Sequence, residues 1–312
     1  MATWPVQNID LMPTLLPTLL AAGPWHNAEF EAVRSAIDAN HRWPIVPTLF
    51  DAIKFVAHAD EPPELVLLAQ SHPASEDQAN VEQLRRLAPL TRVIVVAGSW
   101  CEGELRTGRP PTGVIRLYWY ELAPWWRAAL RRLERGASPQ WAAPLTDSRA
   151  GHAVHLEPSH EREPQLRSTP ALVAIDATDY AVFETLSTGL IELGWNCIWQ
   201  PRHRPDLHNA LIDDGASPTA GIWDGGQLSA AQRESLAAFC RRLQPHNAPV
   251  VALLDFPRVE HIEQTASAGA AALMAKPYQL PLLHNELLRC VSTKVENEHR
   301  NEQHASPLMN AD

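Results

Sequence analysis

Asp224 and Lys276 are the residues whose types and spacing could do chemistry together. Each closes a short apolar run: Gly221-Ile222-Trp223-Asp224 ends in a carboxylate, and Ala270-Ala271-Ala272-Leu273-Met274-Ala275-Lys276 ends in an ammonium group. Between them lie a helical segment and a further apolar run, Pro249–Leu254. Another acid, Asp176, ends the run Ala171-Leu172-Val173-Ala174-Ile175. Runs of this length read as buried strands. When such strands are parallel, their carboxyl ends share one edge of the sheet, and that edge is where open α/β sheets bind ligands. An Asp and a Lys meeting there could act on a small molecule, as in an enzyme on a doubly wound sheet. They could equally form an ion pair that ties two strand ends together.

The elements that must position these residues recur along the chain. In the second half, strands are expected at Ala171–Asp176, Asn196–Trp199, Thr219–Asp224, Val250–Leu254 and Ala271–Ala275. Helices are expected at Tyr180–Leu193, Asp206–Asp213, Ser229–Leu243, Arg258–Ala268 and Leu280–Val291, with Ser229 as a cap and Gly194 and Gly269 as stops. The first half alternates in the same way. Strands fall at 18–23, 44–47, 64–69, 92–97 and 113–119, and helices at 27–39, 48–59, 76–87 and 124–135, with a weak fourth helix over 102–109. Near-continuous apolar strands separated by helices imply parallel sheets covered on both faces. The chain is therefore one βα unit used twice, about 120 residues each time. The expected boundaries are a domain over 15–136, a Pro-rich linker over 137–169 holding Pro139, Pro144, Pro158 and Pro164, a domain over 170–293, and a disordered tail over 294–312.

Bulk composition narrows the function classes. A 312-residue chain with 45% hydrophobic residues can bury two ordinary cores. A net charge of −10 argues against a general nucleic-acid binder, which needs clustered positive charge. Cys101, Cys197, Cys240 and Cys290 are far apart and make no CxxC pair, so a reduced, cytoplasmic compartment is expected. The apolar stretch Leu11–Gly23 has no preceding Lys or Arg and is interrupted by Pro13 and Pro17, unlike a signal peptide. No run reaches the ~18–20 apolar residues of a membrane helix, so no membrane partner is expected. Gly98-Ser99-Trp100-Cys101-Glu102-Gly103 is not a hydrolase nucleophile elbow, and no GxGxxG follows either first strand. His152, His155 and His160 lack companion cysteines for a metal site.

The second half resembles the receiver domain of bacterial two-component response regulators. In that family an Asp ends the third strand, a Ser or Thr ends the fourth about 30 residues later, and a Lys-Pro ends the fifth about 22 residues after that. Asp224, Leu254 and Lys276-Pro277 stand at those spacings, and Ala268-Gly269-Ala270 resembles the family's AGA segment. The resemblance covers roughly Pro170–Val291. It implies two flavodoxin-like doubly wound (βα)5 domains of the α/β class with five-stranded parallel sheets. It implies Asp224 as phosphoacceptor, Lys276 as a phosphate contact, Asp176 and Asp224 as ligands of Mg2+, and a cis peptide before Pro277. It also exposes departures. Asp176 is the one well-placed acid where the family has an adjacent pair, although Asp179 could reach in from the loop. The switch hydroxyl and the switch aromatic are Leu254 and Leu273. In the first half the acceptor position is Ala69, the first strand ends without acids, and no Lys-Pro follows the fifth strand.

Phosphoryl transfer to an Asp needs a divalent cation, a Lys and a further donor around the developing charge. The second half supplies part of that set and the first half none. The expected function is signalling through protein contacts, without an output domain or enzymatic turnover. Asp224 is then either a weakened acceptor or a structural remnant paired with Lys276. The expected partners are a histidine kinase, a phosphotransfer protein or a second copy of the chain. Trp119, Trp125 and Trp126 are interface candidates, because adjacent helical residues point about 100° apart and exposed Trp anchors interfaces well. Arg127, Arg131, Arg132 and Arg135 form a basic helix face that is either solvated or met by an acidic partner.

Overall fold

The computed structural model describes residues 16–38, 43–73, 78–144, 171–202 and 217–304. The chain divides into two units, Met1–Ala153 and Val154–Asp312.

In the first unit the strands are β1 (Leu19–Ala22), β2 (Ile45–Val46), β3 (Leu65–Gln70), β4 (Arg92–Ala97) and β5 (Ile115–Tyr118). They pair in parallel in the order β2-β1-β3-β4-β5. The helices are α1 (Ala28–Asp38), α2 (Leu49–His58), α3 (Gln78–Leu87), α4 (Glu104–Thr107) and α5 (Trp119–Glu134). Strand residues alternate between two apolar layers. Leu20, Ala22, Val66, Leu68, Val93 and Val95 face α2 and α3, where Leu49, Ile53, Val56, Val81 and Leu84 close the core. Gly23 ends β1 with φ +97°, and a Cβ there would run into the carbonyl oxygen of Ala69, so the turn requires glycine.

The weak fourth helix is a single turn preceded by the 3-10 turn Ser99–Cys101. Helix α5 begins at Trp119, earlier than the expected Pro124. The Glu121 carboxylate accepts the Tyr118 amide at 2.8 Å, which ends the strand and caps the helix there. Pro124 consequently lies inside the helix rather than at its start.

The three tryptophans expected at an interface are buried: Trp119, Trp125 and Trp126 are at most 2% exposed. The 100° argument fails because a second layer covers the helix. The turn Gln140–Ala142 folds back over it, and the Trp141 ring stacks on Trp126 at 5.4 Å and tilts against Trp125 at 5.8 Å. The start of the Pro-rich stretch thus packs into the first unit, while residues 145–170 lie outside the described residues.

The second unit repeats the architecture with β6 (Leu172–Asp176), β7 (Asn196–Trp199), β8 (Ala220–Asp224), β9 (Val250–Asp255) and β10 (Ala272–Lys276), all parallel, in the order β10-β9-β8-β6-β7. Its described helices are α6 (Tyr180–Glu192), α7 (Ala230–Leu243), α8 (Val259–Ser267) and α9 (Leu280–His304). The helix expected at Asp206–Asp213 lies outside the described residues. Ala174, Trp223, Val250, Ala252 and Leu254 pack on Leu236, Phe239 and Leu243 of α7. Helix α9 continues past Val291 to His304, through part of the stretch expected as tail. That segment contains Lys294, Glu296, Glu298, Arg300, Glu302 and Gln303, residue types of high intrinsic helix propensity.

Replacing Trp141 by Ala is expected to destabilise the first unit by about 3 kcal/mol in urea unfolding of the full chain. It should also make tryptophan fluorescence more accessible to acrylamide, because Trp125 and Trp126 lose their cover.

Candidate functional site

Strand register shows how the two units differ at the same edge. Asp176 pairs with Trp223, and Ala22 pairs with Leu68, so Ala22 and Ala69 stand where Asp176 and Asp224 stand. Leu254 pairs with Ala275, and Ala97 pairs with Tyr118. Ala97 therefore matches Leu254, and Trp119 matches Lys276.

In the second unit the edge is a chain of charges. Lys276, on the last position of β10, places Nζ 3.1 Å from Asp224 Oδ1 and 3.1 Å from Asp255 Oδ1, and it also donates to the carbonyl of Gly225. Two of these contacts are hydrogen bonds, to Asp224 and the Gly225 carbonyl, and the Asp255 contact is an ion pair. The Asp224 side chain is 10% exposed. The Lys276–Pro277 peptide is cis. Tyr278 follows it, and burial, reinforced by the negative charge of Asp224, pushes its phenol up to about 12.

The other acid, Asp176, is 2% exposed, and both of its carboxylate oxygens are taken. Arg202, just beyond β7, donates Nε to Oδ1 at 2.7 Å, and Arg242, in the last turn of α7, donates Nη2 to Oδ2 at 3.0 Å. These are short, charge-assisted bonds. The Arg202 fork extends further, from Nη2 to the Asp224 carbonyl at 2.6 Å and the Asp176 carbonyl at 3.4 Å, and from Nη1 to Thr178 Oγ1 at 3.3 Å. Its guanidinium lies 4.9 Å from the Trp223 ring centroid, and that of Arg242 lies 5.3 Å from Phe239. Asp179 caps α6 by accepting the Val182 amide at 3.0 Å.

Asp176, Asp224 and Lys276 therefore converge on one edge, while Asp179 is occupied elsewhere. With Arg202 and Arg242 in place, this edge does not fit a divalent cation. Both oxygens of Asp176 are bonded to guanidinium groups, and among the described residues no group of three His, Cys, Asp or Glu side chains could hold a metal. Leu254 is fully buried in the α7 core, and Leu273 packs against the same cluster.

Sequence reasoning missed Arg202, Arg242 and Asp255. Arg242 left a signal: it lies on the turn between the buried residues Phe239 and Leu243, where a charged side chain needs a partner. Arg202 left none, because a loop arginine has no periodicity to read.

The first unit closes the corresponding edge with different groups. Gln70 and Glu104 are buried, and Arg116 binds both, with Nη1 2.7 Å from Gln70 Oε1 and Nη2 2.5 Å from Glu104 Oε2. Gln70 Nε2 also donates to the carbonyl of His72 at 3.1 Å. Glu29 accepts the Ser99 amide at 2.8 Å. Burial holds the Cys101 thiol at about 11, so it is inert at neutral pH.

In each sheet the strands stand in the order second, first, third, fourth, fifth, which is the doubly wound order of flavodoxin and CheY. Both units have the flavodoxin-like doubly wound fold. No protein-family model and no curated protein matches the sequence. Among solved structures the chain is similar to a response regulator from Thermotoga maritima, with 14% identity over 40% of this chain and 99% of that chain and a TM-score of 0.33. It is also similar to the chemotaxis response regulator CheY4 of Vibrio cholerae, with 20% identity over 39% and 99% of the two chains and a TM-score of 0.33. A signal receiver domain of a modulated diguanylate cyclase from Desulfovibrio desulfuricans matches with 18% identity over 41% and 99% and a TM-score of 0.34. Among the described residues no helix is long and apolar enough to cross a membrane.

Replacing Asp176 by Ala would strand two guanidinium groups at this edge. The expected cost is about 2–3 kcal/mol, below that of a wholly buried pair because Arg202 and Arg242 keep some contact with water. Arg242→Ala, which leaves the Arg202 bonds in place, should cost less than half as much in the same denaturant titration.

Proposed function

We propose that the chain is a signal-transduction protein of the receiver type, acting through protein contacts rather than substrate turnover, and that it works without phosphorylation of either unit. The observation that carries this reading is the state of Lys276. It donates to Asp224 and to the Gly225 carbonyl and forms an ion pair with Asp255 at 3.1 Å, so two carboxylates already match its charge without any phosphoryl group. The first unit supports the reading more simply, since the carboxylate position is Ala69. Leu254 offers no hydroxyl to report a phosphoryl group. The partners are proteins, and a second copy of the chain is among them.

One observation favours a second reading, in which Asp224 is a modulated acceptor: its carboxylate still faces Lys276 at 3.1 Å. The two readings separate on labelling. Full-length protein is incubated with acetyl phosphate and Mg2+ and its intact mass is measured beside that of Asp224→Asn. The expected result is no phosphoryl adduct in either protein. An adduct on the wild type that disappears in the variant would establish the second reading.

A further inference from the structure

Four oxygens of the second unit converge on one cation that the chain supplies itself. Asp176 Oδ1 accepts from Nε of Arg202 at 2.7 Å, the Asp224 and Asp176 carbonyls accept from Nη2 at 2.6 and 3.4 Å, and Thr178 Oγ1 accepts from Nη1 at 3.3 Å. A carboxylate, two backbone carbonyls and a hydroxyl form the donor set of a hard divalent cation, not of an anion or an apolar ligand. The anchoring carboxylate is 2% exposed, so leaving the cradle without positive charge would be costly.

We propose that Arg202 is a tethered cation filling an oxygen cradle that would otherwise bind Mg2+ or Ca2+, and that it makes the charge balance of this edge independent of any metal. Three features support the assignment. The guanidinium bonds to strand-end oxygens of both β6 and β8, as a bridging ion would. It rests on the Trp223 ring at 4.9 Å, which fixes it from below without adding a competing negative charge. The charge count also closes: Asp176, Asp224 and Asp255 face Arg202, Arg242 and Lys276. Without Arg202 three carboxylates face two cations, and the surplus negative charge sits beside the vacated oxygens. A guanidinium differs from a metal ion in one functional respect. It cannot be removed by chelation or diluted away, so the edge stays compensated at every divalent-cation concentration.

This inference rests on the receiver-type reading of that edge, and its test is separate from the labelling experiment. Full-length wild type, Arg202→Gln and Arg202→Gln/Asp176→Asn are titrated with MgCl2 and CaCl2 by calorimetry, and their thermal unfolding is followed with and without the ion. The wild type is expected to show no saturable binding. Arg202→Gln is expected to bind one ion and to gain about 4 °C in unfolding midpoint at a tenfold excess over its dissociation constant. The double variant should lose both effects. Should Arg202→Gln fail to fold alone, recovery of its circular dichroism on adding Mg2+ or Ca2+ becomes the expected result, and Arg202→Met, which keeps a side chain over Trp223, provides a second background. Saturable binding by the wild type, or a failure of the Arg202 variants to bind or be rescued, would overturn the proposal. Labelling of Asp224 would defeat the receiver-without-phosphorylation reading whatever the titration shows, and wild-type ion binding would defeat the tethered cation whatever the labelling shows.

Discussion

The buried carboxylate of Asp176 sets the terms for the edge of the second sheet. A charge that is 2% exposed is tolerated only with partners of opposite sign and satisfied hydrogen bonds. Two arginines from different parts of the chain meet it, one beyond β7 and one at the end of α7. Through Arg202 the constraint passes to the Asp224 carbonyl. Lys276 then joins the Asp224 carboxylate to the end of β10, so the ends of β6, β8 and β10 are joined by charge as well as by backbone pairing.

The two units show how one backbone frame accepts different edges. Strand order, parallel pairing and apolar layers repeat, because each follows from burying both faces of a parallel sheet. The residues at the carboxyl ends are not bound by that requirement. Where the second unit has Asp176, Asp224 and Lys276, the first has Ala22, Ala69 and Trp119. Its polar cluster comes instead from Gln70, Arg116 and Glu104, one position beyond Ala69 and on α4 and β5. The first unit's edge is held by the Gln70 amide and the Arg116–Glu104 ion pair, and the second unit's by a ladder of ion pairs.

The sequence makes legible what has a period or a fixed spacing. The strands of both units are visible as apolar runs, and the Asp224–Lys276 pairing as two charges closing neighbouring runs. What could not be read depends on the third dimension. Arg202 acts from a loop, and its target lies 26 residues back along the chain. Burial of Trp125 and Trp126 could not follow from helical geometry alone, because the cover comes from Trp141, beyond the end of the helix and inside a stretch whose prolines read as linker. The start of α5 is hidden from the sequence for a related reason: a single carboxylate, that of Glu121, decides where strand gives way to helix.

The leucine at position 254 connects the edge to the core. Leu254 and Trp223 lie in one cluster with α7, and a Cβ on Gly225 would meet both side chains, so the backbone following Asp224 runs directly over them. A hydroxyl at position 254 would bring an unsatisfied donor into that apolar layer unless an acceptor stood at the edge to meet it. Leucine removes the need for one and fixes Trp223 beneath Arg202. The apolar side chain and the tethered guanidinium are thus matched: one fills from below the space that the other neutralises from above. Neither requires a ligand to be stable. On the proposed reading, the surface that α7, α8 and α9 present to partners is set by folding itself, with no event at Asp224 needed to set it.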